Sequence, residues 1–290
     1  MIQSVTVVGA GAVGLTAATA LARRGADVTL YDRASPGSGA TGRAAGLCYD
    51  AYVERADARL AARSLARFRD LGVLTECPYV WAAHEGDEHT IAAIREHAER
   101  MANRGRDVSL LDSAVLADRF PALETDHLAV GAVAENAGYV DADAFVDAMV
   151  DTATDAGVRL RTDCPVSLTA DTAVVTSGGA DRPDGVLLAA GTHTRALAGE
   201  AGHTLALGTY RAQALQTDAV AADPPIFYDA SERFYLRPAG DGVLVGNGAH
   251  AYEGHPDDYE GSADEDFVAD SLARVESALG ASATESRSWA

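Results

Sequence analysis

Gly9, Gly11 and Gly14 stand in the spacing G-x-G-x-x-G, and Asp32 follows the last of them by 18 positions. Residues of these types at this spacing hold a dinucleotide. The first glycine permits a tight turn, the second lets the backbone approach a pyrophosphate, and the third lets a helix pack closely on a strand. The N-terminus of that helix supplies partial positive charge to the phosphates. Ala10 and Val13 lie within the same turn and belong to the same candidate site. Asp32 falls near the spacing of about 20 residues at which a carboxylate accepts hydrogen bonds from ribose hydroxyls. Its charge disfavours a 2′-phosphate, and Arg33 beside it joins the cofactor-binding set.

The glycine spacing gains meaning only from the elements around it. Ser4–Val8 is a β-rich apolar run ahead of the turn, and helical periodicity runs from Leu15 to Arg24 and closes at Gly25. Asp27–Tyr31 reads as a second parallel strand, and Asp32 stands at its end. Strand, turn, helix, strand and terminal acid together predict one βαβ unit that binds either FAD or NAD.

A loop of small residues follows, Gly37-Ser-Gly-Ala-Thr-Gly-Arg-Ala-Ala-Gly46. Ser38, Thr41 and the uncovered amides from Gly39 to Gly46 are donors suited to phosphate and flavin oxygens. The loop resembles the second glycine-rich segment of the D-amino-acid oxidase superfamily, which includes glycine oxidase and sarcosine oxidase. Collinear similarities continue through Gly138-Tyr-Val-Asp141, Cys164-Pro-Val166, Leu188-Ala-Ala-Gly191, Phe234-Tyr-Leu-Arg-Pro238 and Val243-Leu-Val-Gly246. The resemblance implies FAD as cofactor. It places Ser38, Ala40, Thr41, Gly42, Arg43 and Gly46 at the cofactor, Val166 beside the adenine, and Ala190 and Gly191 at a strand end next to it. Arg43 reads either as a phosphate or flavin contact or as a surface ion pair.

The implied fold is α/β, α+β overall, with a Rossmann-like FAD-binding domain interleaved with an antiparallel-sheet substrate domain. The expected division assigns 1–75 and 138–203 to FAD, 76–137 and 204–262 to substrate, and 263–290 to a terminal helix leading back to the FAD domain. Further helices are predicted at Arg55–Leu71, His89–Asn103, Ser113–Phe120 behind an Asp112 cap, Thr192–Ala201 and Asp264–Leu279. Another follows a turn at Gly138 and an Asp141 cap, with Phe145, Met149 and Val150 on one side. Strands are predicted at Tyr79–Ala83, Val158–Arg161, Val166–Leu168, Ala173–Thr176, Val186–Gly191, Leu205–Thr217, Ile226–Tyr228, Phe234–Leu236 and Val243–Val245. Ser286–Ala290 is expected to trail off the last helix.

The implied reaction is oxidation of the C–N bond of a small amine or amino acid, by hydride transfer to the flavin. Tyr235 occupies a place similar to that of a substrate-contacting tyrosine, and otherwise reads as a strand aromatic packed on its sheet. Arg237, and more weakly Arg211, are candidates for a substrate carboxylate, against the reading of solvated strand arginines. Covalent flavin attachment in this family uses cysteine or histidine, and Ser35–Gly46 contains neither, so binding is expected to be noncovalent. In the family a tryptophan segment like Ser286–Ala290 precedes a substrate-binding arginine and a third glycine-rich segment. The expectation is therefore a truncated chain, or one completed by a separate subunit or a downstream segment. The alternatives are an inactive remnant that binds the dinucleotide without turnover, or an NAD-dependent dehydrogenase.

Composition sets the surroundings. Formal charge is -20, with 43 acidic residues against 23 basic ones, all arginine. Such a surface repels nucleic acid and anionic membranes and reads as adaptation to concentrated salt, or else as a face for a basic partner. Cys48, Cys77 and Cys164 are scattered and suggest neither disulfides nor zinc. The eight histidines show no metal-ligand spacing, so no metal is expected. No apolar run is long enough to span a bilayer and no secretory signal opens the chain, which predicts a cytoplasmic protein.

Overall fold

A computed structural model describes residues 3–252 and 255–290. The chain divides into two compact units, Met1–Ala44 with Asp141–Thr209 and Tyr252–Tyr259, and Ala45–Val140 with Tyr210–Ala251 and Glu260–Ala290. The architecture is mixed α/β: a parallel Rossmann-like sheet in one unit, and a large, mainly antiparallel sheet in the other.

The first unit is built on four parallel strands in the order Gly185–Leu188, Ser4–Val8, Asp27–Tyr31, Arg159–Arg161. Val5, Thr6, Val7 and Val8 are consecutive and all buried, as a strand covered on both faces requires. The first helix spans Ala12–Ala22 and so begins three residues before the apolar periodicity does. The glycine turn sets its start. Helix Ala142–Asp155 is capped by Asp141, whose carboxylate accepts from the Ala144 amide at 3.0 Å. It buries Phe145, Val146, Met149 and Ala153, so Val146, not Val150, completes its inner face.

In the second unit eight strands follow the order Glu285–Trp289, Thr209–Thr217, Gly242–Tyr252, Phe234–Ala239, Ile226–Asp229, Tyr79–His84, Leu128–Ala134, Val108–Leu111. Tyr79–His84 runs parallel to Ile226–Asp229 and antiparallel to Leu128–Ala134. Its core joins Val80, Leu116, Leu128, Phe227, Leu236 and Val245 to Val275 and Leu279 of helix Glu265–Leu279. Leu47–Tyr49 and Leu74–Glu76 flank Ala137–Val140 in a small separate sheet.

Three expectations are corrected here. Gly138 lies within a strand, and a Cβ on it would come 2.3 Å from the Thr75 carbonyl oxygen, so the glycine serves close strand approach. Residues Glu285–Trp289 do not trail off but form an edge strand paired with Ala214–Thr217. The strand expected from Leu205 begins only at Thr209. Among the described residues, no helix is long and apolar enough to cross a membrane.

Candidate functional site

The glycine turn leaves no room for side chains. Gly9 has φ +104°, and a Cβ there would lie 2.3 Å from the Ala189 carbonyl oxygen. One on Gly14 would lie 1.7 Å from the Gly9 oxygen. Gly11 stands at the N-cap of the helix and, having no side chain, offers no cap of its own. Thr41 supplies the cap from the second glycine segment, its Oγ1 accepting from the Ala12 amide at 3.1 Å. The Gly37 amide donates to the Ala10 carbonyl at 3.0 Å, and the Gly42 amide folds back on the Gly37 carbonyl at 2.8 Å. Gly37 also rests on Val146, where a Cβ would meet Cγ2 at 2.6 Å. The two glycine segments are thus joined in one backbone-lined surface. Val13, at the mouth of the helix, is 69% exposed despite being apolar.

Asp32 is oriented by its neighbours: Oδ2 accepts from the Ala10 amide at 2.7 Å and Oδ1 from the Ala34 amide at 2.9 Å. Each oxygen keeps a lone pair for a further donor. Arg33 turns to Asp257, donating at 2.8 and 3.2 Å, and His193 Nε2 lies 3.0 Å from the same carboxylate. The Arg33 hydrogen bond, reinforced by His193, holds the Asp257 carboxyl well below the usual carboxylate range. Arg43 donates to the Tyr259 hydroxyl at 2.6 Å. Ser38, Ala40, Gly42 and Arg43 are exposed. Val166 packs with Tyr31 and Leu188 at the strand ends, and Ala190 and Gly191 open the short turn that follows.

The second unit carries the remaining candidates. Gly46 has φ +71°, and a Cβ on it would lie 2.0 Å from the Val140 carbonyl oxygen. Tyr235 and Arg237 share one face of their strand by the period of two. The Tyr235 ring covers Gly246, its cross-strand partner, and packs with Ala45, Leu244 and Trp289. Burial raises its hydroxyl above the ordinary phenol range, against a smaller opposing effect of Arg237. Arg237 is 7% exposed, with its guanidinium 4.8 Å from the Tyr139 ring. It donates to the Ala45 and Pro238 carbonyls at 2.5 and 2.6 Å. Arg211 is engaged by Asp264 at 2.9 and 3.0 Å and by the Ser262 carbonyl at 2.8 Å.

Two groupings escape the sequence reading. Tyr52, Tyr49, Tyr79 and Trp81 form a run of ring contacts, with centroids 5.0, 4.5 and 5.7 Å apart in turn. In the sequence only the pairs Tyr49–Tyr52 and Tyr79–Trp81 are close, and nothing in the spacing joins one pair to the other. His84, His127 and Asp229 gather at the ends of three strands, and their wide separation in the chain conceals them.

The profile of the DAO family, FAD dependent oxidoreductases, matches residues 4–290, and the chain belongs to that family. Among solved structures, L-proline dehydrogenase from P. horikoshii superposes with TM-score 0.88 at 19% identity, over 99% of this chain and 80% of that one. Glycine oxidase from Geobacillus kaustophilus gives 0.85 at 21%, over 99% and 82%. At these identities the likeness is one of fold. A 47-residue stretch is 51% identical to the tRNA 5-methylaminomethyl-2-thiouridine biosynthesis bifunctional protein MnmC of Chromohalobacter salexigens. It covers 16% of this chain and only 7% of that protein. The family implies FAD, and the residues present fit it: side chains are sterically excluded where a pyrophosphate must approach, and a fixed carboxylate ends the second strand.

Proposed function

We propose that this chain binds FAD noncovalently and oxidises the C–N bond of an amino acid or secondary amine of the glycine, sarcosine or D-amino-acid kind. The observation that carries the reading is the junction of the two glycine segments through Thr41 to Ala12 and Gly37 to Ala10. A simple dinucleotide turn does not need a second segment locked onto its helix N-terminus. FAD, when bound, supplies the acceptor for a hydride. The amides opening helix Ala12–Ala22 bind phosphate with the help of the helix dipole, and Asp32 accepts from the ribose hydroxyls. Ser38 and Thr41 add hydroxyl donors, Gly42 leaves the backbone uncovered, Arg43 adds charge, and Val166, Ala190 and Gly191 provide an apolar lining.

On the substrate side, Tyr235 offers a phenol that is protonated at neutral pH as an ordinary phenol is, so it orients by donating a hydrogen bond; burial moves its ionisation further still from that range. Arg237 contributes positive charge while anchoring Ala45 at the end of the glycine loop. Its planar fork fixes direction as well as charge. The structural relatives, an L-proline dehydrogenase and a glycine oxidase, support an amino acid as substrate class.

The test has two parts. Denaturation should release FAD into the supernatant; flavin retained on the precipitate would refute noncovalent binding, and a flavin-free protein after growth in excess riboflavin would refute FAD. Anaerobic mixing with glycine, sarcosine, proline and D-amino acids should bleach the bound flavin with at least one of them. Bleaching by none would refute the substrate class. Tyr235→Phe should slow that bleaching about tenfold, the value of one lost hydrogen bond.

A further inference from the structure

The geometry points to a divalent transition-metal site formed by His84, His127 and Asp229, separate from the proposed flavin chemistry. These residues stand at one end of three neighbouring strands. His84 closes Tyr79–His84, His127 immediately precedes Leu128–Ala134, and Asp229 closes Ile226–Asp229. Strand register brings them together: Asp229 pairs with Ala82 and Leu128 with His84, while the Glu85 amide donates to the His127 carbonyl at 3.0 Å. One donor atom from each of the three lies within 4.8 Å of the others. His84 Nε2 is 2.7 Å from Asp229 Oδ2, and the two imidazoles meet edge to face at 4.6 Å.

Two imidazole nitrogens and one carboxylate oxygen form a donor set suited to zinc and its neighbours, with a fourth position left for water. Tetrahedral bonds of about 2.0 Å put donor atoms about 3.3 Å apart. His84 Nε2 and Asp229 Oδ2 stand closer than that, at 2.7 Å, and all three donors lie within 4.8 Å of one another, so small rotations of the two rings would admit an ion. The surrounding shell is already built. Asp229 Oδ1 accepts from the Ser231 and Glu232 amides at 3.1 and 2.8 Å, which leaves Oδ2 directed at the histidines. Ser231 ties the group further, accepting from the His84 amide at 3.1 Å and donating to Asp87 at 2.9 Å. Outer contacts of this kind fix ligand orientation. Asp229 is 3% exposed whereas both histidines are half-buried, so the carboxylate is fixed and the site opens to solvent on the imidazole side. A plain His–Asp hydrogen bond accounts for His84 but gives no reason for a second imidazole at the same carboxylate.

The ion's role is to tie three strand ends together. The test uses the tag-free, flavin-loaded full chain, stripped with chelator and titrated with Zn2+ by calorimetry. One equivalent should bind, and saturation at about a hundredfold over Kd should raise the thermal midpoint by roughly 5 °C. Co2+ should give d–d absorption bands diagnostic of a nitrogen–oxygen site. His127→Ala should weaken binding at least a hundredfold, and His84→Ala likewise. Asp229→Asn, which keeps an acceptor for the turn, should do the same without unfolding the chain. His193→Ala is the control, because His193, His255 and Asp257 form a second histidine–carboxylate group among the described residues. It should leave affinity unchanged. Absence of binding at 100-fold molar excess of metal, retained affinity in folded His127→Ala, or loss of it in His193→Ala would each overturn the site.

Discussion

At Gly14 a single added methyl group would overlap the Gly9 carbonyl oxygen, 1.7 Å away, whereas at Gly39 nothing lies within 4 Å. Both glycines sit in candidate cofactor segments, yet only one is required by sterics. Gly14→Ala is therefore expected to lose about 3 kcal/mol of stability in urea denaturation and to copurify without flavin. Gly39→Ala should stay within about 0.5 kcal/mol of the parent and keep its flavin. Equal behaviour of the two variants would refute the cradle. Cys48 gives a pH prediction. Burial pushes its thiol up to about 11, from the ordinary 9.0. The folded chain thus holds this proton longer than the unfolded chain does. The linked stability is full below pH 9 and is lost as pH rises toward 11, by up to about 2 kcal/mol. Urea midpoints of the parent and Cys48→Ala, measured at pH 8 and 10.5, should converge at the higher pH. In the folded protein Cys48 should also resist alkylation at pH 8.

Among elements, the edge strand Glu285–Trp289 contradicts its own sequence. Its residues, Glu-Ser-Arg-Ser-Trp, lack β-branched side chains, and their pairing is imposed by Ala214–Thr217. Trp289 packs in the cluster that holds Tyr235, Ala214 and Leu244. Trp289→Ala should therefore cost about 2 to 3 kcal/mol. An unchanged urea midpoint would mean that the strand is not docked. The same contrast explains what the sequence reveals. Ser4–Val8 and Asp27–Tyr31 are legible because buried parallel strands are rich in valine and bounded by glycine turns. Leu128–Ala134 is equally buried but reads Leu-Ala-Val-Gly-Ala-Val-Ala, and small residues carry little strand signal. The candidate cofactor residues are local in the chain, so Gly9 and Gly14 are readable from spacing and Thr41 from the small-residue loop that holds it. The trio His84, His127 and Asp229 exists only through strand register, which spacing does not encode.

For the whole molecule the deciding quantity is charge. With 43 acidic and 23 basic residues, carboxylates outnumber arginines by 20, whatever the arrangement of pairs. Salt acts in two opposing ways on such a chain. It weakens pairs such as Arg33–Asp257 and Arg69–Glu76, and it relieves repulsion among the surplus acids. The pairs are largely exposed: side chains of the first are 54% and 45% accessible, and of the second 38% and 56%. Exposed pairs are worth at most about 1 kcal/mol each and often nothing. Repulsion is summed over every surplus acid and reaches across the surface when the Debye length is about 10 Å, at 0.1 M salt. At 1 M it reaches only about 3 Å. Relief of repulsion should therefore win. The thermal midpoint is expected to climb steeply between 0.05 and 1 M NaCl, and to climb equally in KCl, because screening depends on ionic strength and not on which monovalent cation is present. Replacing six exposed acids on helices, such as Glu88, Glu96, Glu99, Asp143, Asp147 and Asp151, with glutamine or asparagine should flatten that rise. A midpoint that falls with salt would show that the ion pairs dominate. A rise of unchanged steepness in the neutralised variant would place its origin in salting-out of apolar surface instead of charge.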